Sequence, residues 1–229
     1  MSIICEKHKL LFILVPRTGS TAISRFLIEN LEGKWIIDEN LKNPNGEIVV
    51  WKKHNAIPQL LEHGILTEKE LNELHSFASV RNPFDSLLSL YIKQKHRYQK
   101  LLPDKSSWIH ENGGTIAKDV QFCNNHTFEE WLFRKYSDKS VLHTLLKPKK
   151  ESLYKWRLQR VQHILKFESL QTDFSTLMNQ FGITRLPMIP EANLTEYRPK
   201  DYRSAYSNNA KRLVERVFME DLKAFNYSY

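Results

Sequence analysis

The chain has 229 residues, of which 41% are hydrophobic and 26% charged, which allows one sizeable core and excludes a disordered chain. Its 34 Lys and Arg against 26 Asp and Glu give a net charge of +8, which favours an anionic ligand, a nucleic acid or an acidic surface. Cys5 and Cys123 form neither a metal-binding spacing nor a disulfide framework, so we expect no metal and a reducing compartment.

The first apolar run, residues 10–15, is too short for the core of a signal peptide and leads into a polar loop without a cleavage site. No apolar stretch approaches the ~20 residues that span a bilayer. We therefore expect a cytoplasmic protein without a membrane partner.

Residues 10–15 (LLFILV) predict a strand buried on both faces, which Pro16 ends. A polar loop, RTGST, follows and leads into a helix whose apolar residues recur at three- and four-residue spacing. The free N–H groups and the dipole of a helix N-terminus bind phosphate. Gly19 would let the backbone approach the anion, and Arg17 would add charge. Hydroxyl donors would come from Thr18, Ser20 and Thr21. The loop is not a Walker A motif, since it lacks the second glycine and the Gly-Lys-Ser/Thr ending.

A second strand-to-helix junction lies at residues 76–85. Residues 76–80 predict a strand, Arg81 stands at its end, and Asn82 and Pro83 are favourable at the start of a helix. Ser89 would lie about two turns into that helix, roughly 9 Å along its axis.

Two further strands are predicted, at residues 48–51 and 163–167, and helices at residues 127–136, 151–162, 173–181 and 208–225. A capping box of Thr67 and Glu70 predicts another helix. Four strands alternating with helices predict an α/β fold with a largely parallel central sheet covered on both faces. Ligands bind beyond the carboxyl ends of such strands. Four residues just after predicted strands would meet there: Arg17, His54, Arg81 and Glu168.

The segments PRTGST and SVRNPFDSLLSLY together resemble the sulfotransferase superfamily, whose members transfer a sulfonyl group from 3′-phosphoadenosine 5′-phosphosulfate (PAPS). Three weaker similarities are ILKFESL, the final YSNNAKRLVERVFMEDLKAFNY and WKKHNAIPQLL. They point to small soluble bacterial and to carbohydrate-type members. The resemblance implies a P-loop-like, three-layer α/β domain over residues 1–229, with residues 93–150 as an insertion that covers the acceptor.

The resemblance also implies roles for individual residues. Residues 17–21 would bind the 5′-phosphosulfate, and Arg81 with Ser89 the 3′-phosphate. At least one cation among Arg198, Lys200 and Arg203 would contact the nucleotide; alternatively, these side chains form a solvated basic loop. We expect Arg198 and Arg203 at the donor site.

Sulfonyl transfer needs positioning, stabilisation of developing charge and removal of one proton. His54 is our candidate base, because an imidazole titrates near neutral pH; an ordinary surface histidine is the alternative. Glu168 is the second choice for the base, although its position favours a carboxylate that caps a turn. Arg17 would stabilise charge but cannot donate a proton, so Lys52 or Lys53 is the candidate donor.

The predicted acceptor is a hydroxyl or amine of a glycan or a small natural product. Tyr98, Trp108 and Trp131 would line its pocket or fill the core. The alternatives are a P-loop-type small-molecule or nucleotide kinase and a nucleic-acid-binding module. A kinase lacks support because neither a Gly-Lys-Ser/Thr loop nor a magnesium-holding acid is apparent. We predict no nucleic-acid partner, and the oligomeric state stays open.

Overall fold

The structure, a computed structural model, describes residues 2–53, 55–137, 151–184, 186–190 and 197–229. The chain divides into two compact units. The first comprises Met1–Arg81 and Tyr154–Leu194, and the second Asn82–Leu153 and Thr195–Tyr229. The single domain over residues 1–229 stays a prediction.

The described residues of the first unit contain seven strands: β1 (Ser2–Cys5), β2 (Leu10–Ile13), β3 (Lys34–Trp35), β4 (Leu41–Lys42), β5 (Ile48–Val50), β6 (His75–Val80) and β7 (His163–Lys166). Five of them form one sheet in the order β3-β1-β2-β6-β7. The strands β2, β6 and β7 are parallel, whereas β1 pairs antiparallel with both β2 and β3. The α/β class and the parallel centre of the sheet are therefore confirmed.

The described part of the first unit contains four α-helices: α1 (Ser20–Asn30), α2 (Ile57–Glu62), α3 (Glu68–Glu73) and α7 (Leu170–Gln180). All four residues of β2 are fully buried, as a continuous apolar run predicts. The core joins the sheet to α1 and α7, with the rings of Phe12 and Phe77 5.0 Å apart and those of Phe26 and Phe174 5.1 Å apart. This packing fixes the carboxyl ends of β2 and β6, from which the candidate loop and Arg81 follow.

The second unit contains α4 (Pro83–His96), α5 (Thr115–Asn125), α6 (Phe128–Tyr136), α8 (Asn208–Val217) and α9 (Met219–Ala224). The side chain of Asn82 accepts a hydrogen bond from the Phe84 N–H at 3.1 Å, which confirms the predicted start of α4. Trp131 is 1% exposed and belongs to the apolar core of this unit, whereas Trp108 is 43% exposed and packs edge-on against Tyr98.

The prediction that residues 48–51 join the main sheet is wrong. Strand β5 instead pairs antiparallel with β4 in a separate two-stranded sheet. The intervening turn is closed locally, since the Asn43 side-chain oxygen accepts from the N–H groups of Asn45 and Glu47 at 3.0 and 2.9 Å. An asparagine that bonds its own turn in this way favours a hairpin over a distant parallel partner.

Two predicted helices also differ from the structure. Residues 151–162 form turns rather than a helix, and Arg160 there has a left-handed φ of 66° that interrupts helical geometry. The helix predicted over residues 208–225 is divided at Phe218 into α8 and α9. The strands β1 and β3 were not predicted, because each is short and lacks an extended pattern.

Candidate functional site

The loop between β2 and α1 has an unusual backbone. Arg17 has φ 69° and Gly19 φ 79°, so two left-handed residues lie on either side of Thr18. Only glycine adopts this region without steric cost, and a non-glycine residue held there is a form of strain that concentrates at functional sites. The loop therefore turns tightly from the buried strand into the first helical residue, Ser20.

Thr18 is fully buried, and its hydroxyl is committed within the fold. It donates to the Val15 carbonyl at 2.8 Å and shares a 2.8 Å hydrogen bond with the Ser79 hydroxyl on β6. The predicted hydroxyl contact of Thr18 with a phosphate therefore has no support in the side-chain geometry, and the backbone N–H is its available contribution. Ser20 is buried and Thr21 exposed at the start of α1, the end of a helix that in general presents backbone N–H groups to an anion.

Gly19 is required by its surroundings as well as by its φ. A Cβ atom on Gly19 would lie 2.9 Å from Leu170 Cδ2 and 3.0 Å from Phe167 Cδ2. These two side chains follow β7, so the end of that strand closes on the loop. The loop is thus held in one position by tertiary packing, which is what a preorganised anion site requires.

Arg81, directly after β6, is only 4% exposed and lies beside this loop. Its Nη1 donates to the Arg17 carbonyl at 3.1 Å, and its Cζ lies 4.1 Å from the centre of the Phe167 ring. The hydroxyl of Tyr154 accepts from the Arg81 N–H at 3.3 Å and donates to the Arg81 carbonyl. Hydrogen bonds therefore hold Arg81 both at its backbone and at its guanidinium group. A buried guanidinium in a fixed position suits recognition of an anion.

Sequence reasoning identified Arg81 and the loop but missed Tyr154 and Phe167. Phe167 was predicted as the last residue of a strand, whereas β7 ends at Lys166 and residues 167–169 form a 3₁₀ turn. The sequence signal that could have identified Phe167 is its place at the carboxyl end of a predicted strand, because ligands bind beyond that end in parallel sheets. Tyr154 lies 73 residues from Arg81 and carries no comparable signal, since the sequence predicts a helix over residues 151–162.

The other predicted donor-binding residues lie in the second unit, where Ser89 is fully buried on α4. Arg198 forms a 2.5 Å ion pair with the buried Asp85 in the first turn of α4. Arg203 pairs with Asp201 at 3.3 Å, with both side chains about half exposed. The structure therefore gives Arg198 a partner inside its own unit. The roles of these residues at the nucleotide stay predictions.

His54 lies outside the described residues. The argument that placed it at the edge of the main sheet does not hold, because the preceding strand β5 belongs to the separate hairpin. Lys52 is half-buried, and its backbone N–H donates to the Asn40 side-chain oxygen at 2.7 Å. Glu168, the alternative base, is exposed in the 3₁₀ turn after β7.

Burial raises the pKa of the Cys5 and Cys123 thiols to about 12, so both are protonated and unreactive at neutral pH. No cluster of three or more His, Cys, Asp and Glu residues suited to a metal occurs among the described residues. Within the same ranges, every helix is too short or too polar to cross a membrane.

The fold and this site define an α/β protein whose tight, glycine-containing loop and buried arginine suit an anionic ligand. A sequence model of the sulfotransferase family matches residues 1–228. The chain belongs to this family.

Relatives of known name support the assignment. The chain is 26% identical to carbohydrate sulfotransferase 10 of Danio rerio, 25% to that of Rattus norvegicus and 27% to that of Gallus gallus. Each comparison covers 98% of this chain but only 65–66% of the relative, so the chain spans about two thirds of their length. No solved structure matches, and the P-loop-like, three-layer description of the fold stays a prediction.

Proposed function

We propose that this protein is a PAPS-dependent sulfotransferase that modifies a glycan. The observation that carries the proposal is the contact between Arg81 and the loop at Arg17, which places a buried guanidinium beside a tight, glycine-containing anion loop. Membership of the sulfotransferase family and the names of the relatives support the reaction and the saccharide acceptor.

The residues of the first unit fit the donor. The backbone N–H groups at the start of α1 and the charge of Arg17 would bind the 5′-phosphosulfate. Arg81 would bind the 3′-phosphate, with Ser89 retained from the family motif alone. When bound, PAPS supplies the sulfonyl group that passes to an acceptor oxygen or nitrogen. Arg17 would stabilise the charge that develops on the phosphosulfate side.

The proposed proton-transfer roles rest on the acid–base chemistry of the side chains. His54 is the proposed base at the acceptor, with Glu168 as the alternative, because an imidazole is half-neutral near pH 6.5. Arg17 holds its proton at all physiological pH values, so Lys52 is the proposed proton donor on the leaving side.

The donor site is tested by calorimetry, which measures the affinity for 3′-phosphoadenosine 5′-phosphate in the absence of magnesium. We expect Arg81→Ala to weaken binding about tenfold or more, the range of a charged hydrogen bond. Arg160→Ala is the matched control: it removes the same charge, but Arg160 pairs with Glu68 and its carbonyl accepts from Ser76 near the opposite end of β6. Equal affinities for this ligand and for adenosine 5′-phosphate in the wild type would overturn the proposal.

The acceptor is tested separately, by transfer from PAPS to a panel of saccharides and small phenols. We expect transfer to a saccharide. His54→Ala should lower kcat by about 10²- to 10⁴-fold, the contribution of a general base, with unchanged affinity for 3′-phosphoadenosine 5′-phosphate. An undiminished kcat would remove His54 and direct the same test to Glu168→Gln.

A further inference from the structure

We propose that Phe167 is a positioning residue that holds the Arg81 guanidinium against the loop at Gly19 and thereby sets the preference for a nucleotide with a 3′-phosphate. The inference rests on the proposed function, because it takes Arg81 as the residue that contacts this phosphate. Phe167 itself needs no contact with the ligand.

The register of two parallel strands brings Phe167 and Arg81 together. Val80, the last residue of β6, pairs with Lys166, the last residue of β7. Arg81 and Phe167 are the next residues along each strand, so they leave the sheet side by side. This placement follows from backbone pairing, and it therefore exists before any ligand binds.

The ring and the guanidinium are in close contact. The Cζ of Arg81 lies 4.1 Å from the centre of the Phe167 ring, well inside the distance at which a cation is attracted to an aromatic face. Arg81 is 4% exposed, and removal from water strengthens this attraction. The Nη1 hydrogen bond to the Arg17 carbonyl, 3.1 Å long, fixes the guanidinium from another direction.

The same ring also contacts the loop. A Cβ on Gly19 would lie 3.0 Å from Phe167 Cδ2 and 3.2 Å from Cε2, so the ring occupies the space directly beside the Gly19 backbone. One rigid side chain therefore touches both the proposed 5′-phosphosulfate loop and the proposed 3′-phosphate residue. An arginine ordered in advance loses less side-chain entropy on binding, and its position relative to the loop is fixed before the ligand arrives.

The test compares affinities for 3′-phosphoadenosine 5′-phosphate and adenosine 5′-phosphate, which differ only in the 3′-phosphate. Phe167→Leu keeps an apolar side chain but removes the aromatic face. We expect it to lower affinity for the first nucleotide about 3- to 30-fold, the range of a partly desolvated cation–π contact, and to leave the second within about twofold. Phe167→Tyr, which restores the aromatic face, should restore the preference.

Leu170→Ala is the matched control, because Leu170 also packs on Gly19 but its side chain offers no aromatic face. It should weaken both nucleotides alike and leave their ratio unchanged. Thermal unfolding of each variant checks that the fold is retained. A wild-type ratio preserved in Phe167→Leu, or equal losses for both nucleotides, would overturn the role of Phe167 alone. If the wild type itself bound both nucleotides equally well, the proposed function would be overturned together with the role of Phe167.

Discussion

Gly19 combines two constraints that a single added methyl group would violate. Its φ of 79° is unfavourable for any other residue, by about 1–2 kcal/mol, and a Cβ would approach Leu170 Cδ2 to 2.9 Å. Overpacking of this kind adds about 1–3 kcal/mol. We therefore expect Gly19→Ala to lower the free energy of unfolding by about 2–5 kcal/mol in urea titrations, and to weaken binding of 3′-phosphoadenosine 5′-phosphate.

Gly46 provides the control for this substitution. Its φ of 82° is nearly the same, but a Cβ there would meet no atom within 4 Å. Gly46→Ala should therefore show the backbone effect alone, about 1–2 kcal/mol, with unchanged nucleotide affinity. If both variants lose the same stability, the contact of Gly19 with the turn after β7 does not constrain the loop.

Strand β7 begins with a histidine, His163, whose pKa is lowered by the fold. Desolvation, with a smaller contribution from His75, lowers the pKa of His163 below its ordinary value. Both histidine rings contact Phe181, at 4.1 Å for His75 and 5.4 Å for His163. Protonation of His163 is therefore less favourable in the folded chain than in the unfolded one.

The direction of the pH effect follows from this shift. Because the unfolded chain binds the proton more readily, stability falls as the pH drops through the unfolded pKa of about 6.5 toward the lowered folded pKa. We expect His163→Gln to flatten the decline in unfolding free energy between about pH 7.5 and 5. His63→Gln is the control, since His63 lies directly after α2 and does not contribute to the lowered pKa of His163. An unchanged slope in His163→Gln would contradict this account.

The elements that sequence reasoning found are those whose local pattern settles their structure. Strand β2 is a continuous apolar run, and β6 lies directly before the favourable helix start at Asn82 and Pro83. Helices α3 and α6 begin at the capping boxes of Thr67 and Thr127, both of which form. Membership of a sheet is different, because periodicity does not name the partner strand. For that reason β5 was assigned to the wrong sheet and β1 and β3 were missed.

In the candidate site too, local patterns predict individual residues but not their contacts with distant parts of the chain. The loop and Arg81 could be predicted because each directly follows a recognisable strand. The side chains that hold Arg81 could not, since Tyr154 and Phe167 reach it only through the paths of residues 151–162 and of β7. The partner of the Thr18 hydroxyl could not be predicted for a related reason: Ser79 lies 61 residues away, on β6.

At the scale of the whole molecule, the net charge of +8 attracts any anion and so cannot by itself identify the ligand. Exposed charges are screened by salt, with a Debye length of about 10 Å at 0.1 M, whereas a buried charge is screened much less. Arg81 is 4% exposed, so the proposed site and the general surface should respond differently to ionic strength.

We expect affinity for 3′-phosphoadenosine 5′-phosphate to fall less than about tenfold between about 0.05 and 0.5 M salt. Any affinity for a single-stranded oligonucleotide should fall much more steeply, because each phosphate contact adds about 0.7 to the logarithmic slope. Competition titrations measure both, and Arg81→Ala should weaken only the mononucleotide. Equal slopes, with displacement of the mononucleotide by the oligonucleotide at physiological salt, would favour a nucleic-acid-binding module, because the two ligands would then share one exposed basic surface.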